Sequence, residues 1–169
     1  LLGAGAVSVL NGNASETASL PGLDARTRGV DAGSAPFSLQ AIAQRAARQW
    51  NVTAVVTGAA DAVAGLGSEP CWTVGNGHPA LARVVGTGCM LSSVLGGFCA
   101  VSSDLPRACA QGLAVFGRAG ELAAGKSQCP GSFKVALFDI LGALTGADLA
   151  DTLRIRMARV DQTEEPADE

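Results

Sequence analysis

The residues with the greatest capacity for chemistry lie together at Gly86-Thr87-Gly88-Cys89, in a run from Val84 to Val101 that reads VVGTGCMLSSVLGGFCAV. Behind them Leu91, Val94, Leu95, Phe98 and Val101 recur at helical spacing, which puts the glycines where a helix begins. Gly86 and Gly88 can take backbone angles closed to other residues. Successive N–H groups of Gly86, Thr87 and Gly88, with the positive end of the helix dipole, can therefore converge on an anion such as a phosphate. Cys89 would occupy the first turn of that helix, a position that makes a thiol more reactive and turns it toward whatever the anion hole holds. The same four residues also suit a tight turn into a packed helix, with Cys89 as a small buried hydrophobe. The residues by themselves leave both readings open.

A second group of candidates stands near the ends of predicted strands. Ala6–Leu10 reads as a short buried strand and Asn11-Gly12 as a turn. Asn13-Ala14-Ser15-Glu16 then opens a short helix, with Asn13 as its cap and an acid three positions later. These two oxygen donors form a capping box, and they also suit Mg²⁺, which prefers oxygen and usually keeps several waters. Val52–Thr57 is a continuous apolar strand closed by Thr57-Gly58, at the carboxyl end where parallel sheets bind ligands. His78 is the only histidine. It stands in the turn Asn76-Gly77-His78-Pro79, without G-x-S-x-G or an acid partner, and is given no chemistry. Gly120–Ser127, GELAAGKS, satisfies the P-loop pattern letter for letter. It is rejected, because a P-loop follows a strand and opens a helix, whereas Glu121–Ala124 continues one.

The elements that must position these residues follow the chain. Ser34 and Pro36 are predicted to start a helix with Leu39, Ile42, Ala43, Ala46 and Trp50 on its apolar face and Gln44, Arg45, Arg48 and Gln49 in water. With the strands before and after, this makes a βαβ crossover and implies a parallel sheet. Ala62–Ala64 and Cys71–Val74 are predicted as a hairpin near the sheet's edge. Asp104 and Pro106 open another helix with Ala108, Val115, Ala119 and Leu122 on one face. A further helix from Pro130 to about Leu144 is predicted to turn Val135, Phe138 and Leu141 inward. Leu149–Val160 carries no clear pattern, and 161–169 reads as an acidic, disordered tail.

The 169 residues suit one domain, predicted over 1–160, and 48% hydrophobic content is enough for a real core. The net charge is −3, and five of the fifteen acids fall in the last nine residues, so the body of the chain has no basic stripe for nucleic acid. No apolar run reaches the roughly 18 residues that span a bilayer. Five cysteines, Cys71, Cys89, Cys99, Cys109 and Cys129, without C-x-x-C, read as reduced cytoplasmic thiols. With 22 glycines and 4% aromatics, a tightly packed α/β chain is expected. The predicted helices need a broader sheet than these strands supply, which suggests the carboxyl-terminal portion of a larger α/β domain.

NGNASE at 11–16, RGVDAG at 28–33, VVTG at 55–58, NGHP at 76–79, VVGTGC at 84–89, AGELAA at 119–124 and PGSF at 130–133 together resemble the hydroxyethylthiazole kinases of thiamine salvage. Order and spacing match up to about Thr152. The resemblance implies a ribokinase-like three-layer sandwich with a mostly parallel sheet, here without its amino-terminal part. It implies ATP-dependent, Mg²⁺-dependent phosphorylation of the hydroxyl of 4-methyl-5-(2-hydroxyethyl)thiazole, in a cytoplasmic homotrimer. By position, Gly86, Thr87 and Gly88 would form the anion hole, Gly86 would touch the substrate, and Cys89 would be the catalytic residue against its hydroxyl. Asn11 and Thr57 match ATP-contacting positions, and Asn13 and Glu16 match an Mg²⁺-supporting element. Asn11 stands where the family has an arginine, and Cys129 where it usually has glycine. The alternative is a non-catalytic fragment or subunit that retains only phosphate or nucleotide binding.

Overall fold

The computed structural model describes residues 2, 5–20, 38–66 and 70–158. The chain divides into two compact units, one drawn from Leu1–Thr73 and Arg156–Glu169 and the other formed by Val74–Ile155. The predicted helix start at Ser34 and Pro36 and the acidic tail lie outside the described residues.

The first unit is built on a five-stranded sheet in the order β1 (Val9–Asn13), β2 (Thr53–Thr57), β3 (Asp61–Ala64), β4 (Cys71–Val74), β5 (Ile155–Ala158). β1 and β2 run parallel, with Val9 opposite Thr53 and Asn13 opposite Thr57. The α/β class and this pair are as predicted. Past β2 the chain reverses, β3 pairs antiparallel with Ala54 opposite Ala64, and the sheet as a whole is mostly antiparallel rather than mostly parallel. β1 also corrects the predicted strand Ala6–Leu10. Pairing with β2 carries the strand through Asn11 and Gly12, which are ladder residues and not a turn.

Among the described residues, two helices pack in this unit. α1 (Ala14–Ala18) follows β1 directly, and α2 (Leu39–Trp50) is the crossover to β2. Ser38 caps α2 by accepting a hydrogen bond from the Ala41 amide, and Asn51 ends it in a left-handed conformation that asparagine tolerates. Ile42, Ala43, Ala46 and Ala47 bury against Ala54, Val56, Ala62, Ala64 and Cys71. A fully buried Ile or Val side chain contributes about 1.5–3 kcal/mol, so this face is what fixes α2 on the sheet. Arg45 and Arg48 face water as predicted.

The second unit is helical. A short 3-10 helix, Pro79–Arg83, leads to α3 (Thr87–Ala100), α4 (Leu105–Lys126), α5 (Pro130–Ala143) and α6 (Gly146–Leu149). α4 contains the whole GELAAG segment, so the P-loop pattern is helix, as its context required. It packs through small residues. A Cβ at Gly112 would lie 3.0 Å from Leu95, and one at Gly117 would lie 2.5 Å from the Asn76 carbonyl oxygen. α5 departs from expectation. Phe133, Ala136, Leu137 and Ile140 face in, whereas Val135 and Phe138 are exposed. The run Phe133–Leu141 is apolar on both sides of the helix, so periodicity could not choose the phase.

Candidate active site

In the first unit the carboxyl ends of β1 and β2 carry three of the candidates. Asn13 and Thr57 are register partners on neighbouring parallel strands, and Asn11 lies two residues earlier on β1, opposite Val55. Asn13 is also the cap of α1. Its Oδ1 accepts from the Glu16 amide at 2.8 Å, and the Asn13 amide donates to Glu16 Oε2 at 2.8 Å. The capping box predicted from the sequence is therefore formed, and both side chains are exposed beside the strand ends.

Their chemistry suits a hard cation held through water, because the pair offers only oxygen and nitrogen of a neutral amide plus one carboxylate. Among the described residues no three His, Cys, Asp or Glu side chains gather as a metal site, so such an ion would need ligands from a bound phosphate as well.

Asp61 belongs to this end of the sheet and was not anticipated. Its Oδ1 accepts from the Gly58 amide at 2.9 Å, closing the turn that follows Thr57. Burial pushes the Asp61 carboxyl up to about 6, while the Gly58 amide pulls the other way. The spacing Gly58-x-x-Asp61 was the available signal, since a short acidic side chain commonly bonds the backbone of its own turn.

In the second unit the four residues of the glycine turn are together at the start of α3. Gly86 is the residue before the helix, with φ +96°. A side chain there would be strained, since left-handed backbone costs other residues about 1–2 kcal/mol. No side chain caps α3, and Gly88 and Cys89 are exposed in its first turn. The thiol is thus on the surface and not a buried hydrophobe.

Thr87 turns away from the opening: its hydroxyl donates to the carbonyls of Leu81 at 2.8 Å and Val84 at 3.0 Å. Its amide also reaches the Val84 carbonyl at 3.5 Å. Thr87 therefore fastens the turn, and the amides of Gly88 and Cys89 belong to the first helical turn, whose N–H groups have no carbonyl four residues back to bond. Lys134, at the start of the second turn of α5, adds a cation that the sequence did not point to. Its Nζ donates to the Val85 carbonyl at 3.5 Å and lies 3.9 Å from where a Gly86 Cβ would be. Nothing in the order of residues 84–89 signals a lysine 49 positions away.

His78 does what a turn histidine does. Its Nδ1 accepts from the Ala80 amide at 3.2 Å, capping the 3-10 helix. Asn76 and Gly77 are held by Glu121 of α4, whose Oε1 accepts from Asn76 Nδ2 at 3.3 Å and the Gly77 amide at 2.9 Å. Arg118 and Arg154 both pair with the same carboxylate, at 3.2 and 2.6 Å. Burial works to raise the Glu121 carboxyl, but the Gly77 amide and the two guanidiniums together hold it below the usual range.

The chain shares its fold with a solved structure of a hydroxyethylthiazole kinase protein from Pyrococcus horikoshii OT3. The TM-score is 0.75 at 34% identity, over 90% of this chain and 55% of that one. That likeness defines the class as an α/β protein of the ribokinase-like kind. A model described as the hydroxyethylthiazole kinase family matches residues 1–147, and the chain belongs to that family. Hydroxyethylthiazole kinase of Moorella thermoacetica is 43% identical over 151 residues, covering 89% of this chain and 56% of its own length. That of Methanocella arvoryzae is 40% identical over 152 residues, covering 90% and 56%. The chain thus spans about half the length of these relatives.

Proposed function

We propose that this protein transfers the γ-phosphoryl group of ATP to the hydroxyl of 4-methyl-5-(2-hydroxyethyl)thiazole, a step of thiamine biosynthesis or salvage. The observation that carries the proposal is the Gly86–Cys89 turn, with φ +96° at Gly86, an uncapped helix end and an exposed thiol. Family membership supplies the substrate class.

In this reading the amides of Gly88 and Cys89 and the α3 dipole hold the γ-phosphoryl oxygens, while Thr87 keeps the turn rigid and Gly86 lets the substrate approach the backbone. Cys89 takes the proton of the acceptor hydroxyl. A thiol suffices, because phosphoryl transfer passes through a loose transition state in which alignment and charge stabilisation supply most of the catalysis. Asn11 and Thr57 contact the nucleotide. Asn13 and Glu16 would hold Mg²⁺ through water, and the ion would neutralise charge on the phosphates. A cytoplasmic homo-oligomer completes the proposal.

The test is to incubate the chain with the thiazole, ATP and Mg²⁺ and to follow the phosphate ester by mass spectrometry. Ester should form, and Cys89→Ala should lower kcat about 10²-fold, the low end for loss of a general base. Nucleotide binding with no ester formed would replace the kinase reading with the alternative, a chain that only binds phosphate.

A further inference from the structure

Away from the candidate site, two thiols meet between α3 and α4. Cys99 Sγ and Cys109 Sγ are 3.6 Å apart, although neither cysteine is part of a C-x-x-C motif. The contact follows from the local fold. Cys99 is one residue from the end of α3, the connection Val101–Asp104 is short, and Cys109 stands in the second turn of α4. An antiparallel helix pair with so short a connection sets residues at matching distance from the turn against each other. Cys109 is fully buried and Cys99 is half-buried. One member of the pair is thus open to reagents and the other is screened from them.

We propose that Cys99 and Cys109 form a reversible redox site, which a peroxide-class oxidant converts to a disulfide that ties the end of α3 to α4. The Cys99 thiolate attacks one peroxide oxygen, breaking the O–O bond, and gives a sulfenic acid and water. The Cys109 sulfur then attacks the Cys99 sulfur. The S–S bond forms as the S–O bond breaks, and the hydroxyl leaves as water with the proton of Cys109. Two thiols lose two electrons, and the peroxide becomes two waters. Burial, followed by the neighbouring Cys99, pushes the Cys109 thiol up, which leaves Cys99, the more accessible sulfur, as the one that meets the oxidant first.

Closing the sulfurs from 3.6 Å to bonding distance falls on the last turn of α3. That turn ends at Val101, which is exposed and whose amide reaches only the Phe98 carbonyl, at 3.3 Å. A helix end of this kind moves more readily than a helix interior.

The experiment treats the full reduced chain with millimolar hydrogen peroxide, blocks remaining thiols with N-ethylmaleimide and maps non-reduced tryptic peptides. Cleavage after Arg107 separates the two cysteines, so a linked pair of peptides, 84–107 with 108–118, should appear and be dissolved by dithiothreitol. The thermal midpoint should rise by about 5–10 °C on oxidation, as expected when a loop of this size is closed. Because Cys89 shares the first peptide, fragment ions of the linked species must place the bond on Cys99, and Cys99→Ser must abolish the link. Should that variant not fold, the fragment ions decide alone. A link through Cys89, or Cys99 carried on to sulfinic acid with Cys109 still a thiol, would overturn the proposal.

Discussion

Cys89 and Asp61 are the residues whose behaviour separates a working site from a structural turn. Cys89 and Cys129 are both exposed, while Cys71 and Cys109 are buried, so the first two should alkylate ahead of the others in iodoacetamide at neutral pH. If the Gly88 and Cys89 amides hold a γ-phosphate, ATP with Mg²⁺ should slow Cys89 at least several-fold and leave Cys129 unchanged. Site-resolved mass spectrometry reads both in one sample, and equal rates at Cys89 with and without nucleotide would make the stretch a turn only. Asp61 tests the other unit through pH. Its carboxyl titrates near 6 in the folded chain against an ordinary 3.8, so the folded state holds the proton more tightly. Stability is therefore favoured at low pH and falls as pH rises from about 4 through about 6, by about 2–3 kcal/mol for a shift of this size. Asp61→Asn keeps an oxygen for the Gly58 amide and removes the titration. Urea unfolding at pH 4.5 and pH 7 should show the wild-type loss, and the variant should lack it.

At the scale of elements, glycine has opposite meanings on α3 and α4. A Cβ at Gly117 would stand 2.5 Å from the Asn76 carbonyl oxygen and 2.6 Å from its carbon, whereas nothing lies within 4 Å of one at Gly97. Gly117→Ala should therefore cost about 1–3 kcal/mol through overpacking. Gly97→Ala should gain about 0.5–1 kcal/mol, because alanine is the better helix former where space is open. Chemical unfolding of the two variants checks the sign as well as the size. Glu121 explains why the first change is severe. It holds the Asn76–Gly77 segment and Arg154 at once, and a shift at Asn76 disturbs all of these contacts.

The same elements show what the sequence made legible. α2, α3 and α4 announced themselves by helical spacing, α4 also by its cap Asp104, and the capping box of Asn13 and Glu16 by residue type. β3 and β4 were visible as the two strands of the predicted hairpin, whereas the reversal between β2 and β3 was not, because the expected crossover pointed to a parallel sheet. β5 was not, because Ile155–Ala158 alternates too briefly to stand out and depends on partners far away in the chain. The phase of α5 was lost to its apolar run, and Lys134 to sequence distance.

The charge and surface of the whole molecule point to association through apolar contacts. Val135 and Phe138 lie one turn apart on α5 and are 62% and 55% exposed, while the opposite face of the helix buries Phe133, Leu137 and Ile140. Val85 is 92% exposed, and its carbonyl is bonded by Lys134 of the same helix, so it belongs to the same neighbourhood. A solvated helix carries polar residues on such a face. Three side chains alone do not make a tight interface, since association first has to offset the lost freedom of the partners, at about 4–15 kcal/mol. They are enough to nucleate a contact whose remaining area comes from neighbours. The chain should therefore self-associate at micromolar concentrations, with a sedimentation coefficient that rises with loading. An association driven by apolar burial should persist between 0.05 and 0.5 M salt, conditions that shorten the reach of charges from about 14 Å to about 4 Å. Val135→Lys with Phe138→Lys should shift the equilibrium toward monomer while leaving the buried face of α5 and the melting curve of the monomer intact. A wild-type chain that sediments as a monomer across a hundredfold range of concentration, or one whose association disappears at high salt, would show that this face does not drive assembly.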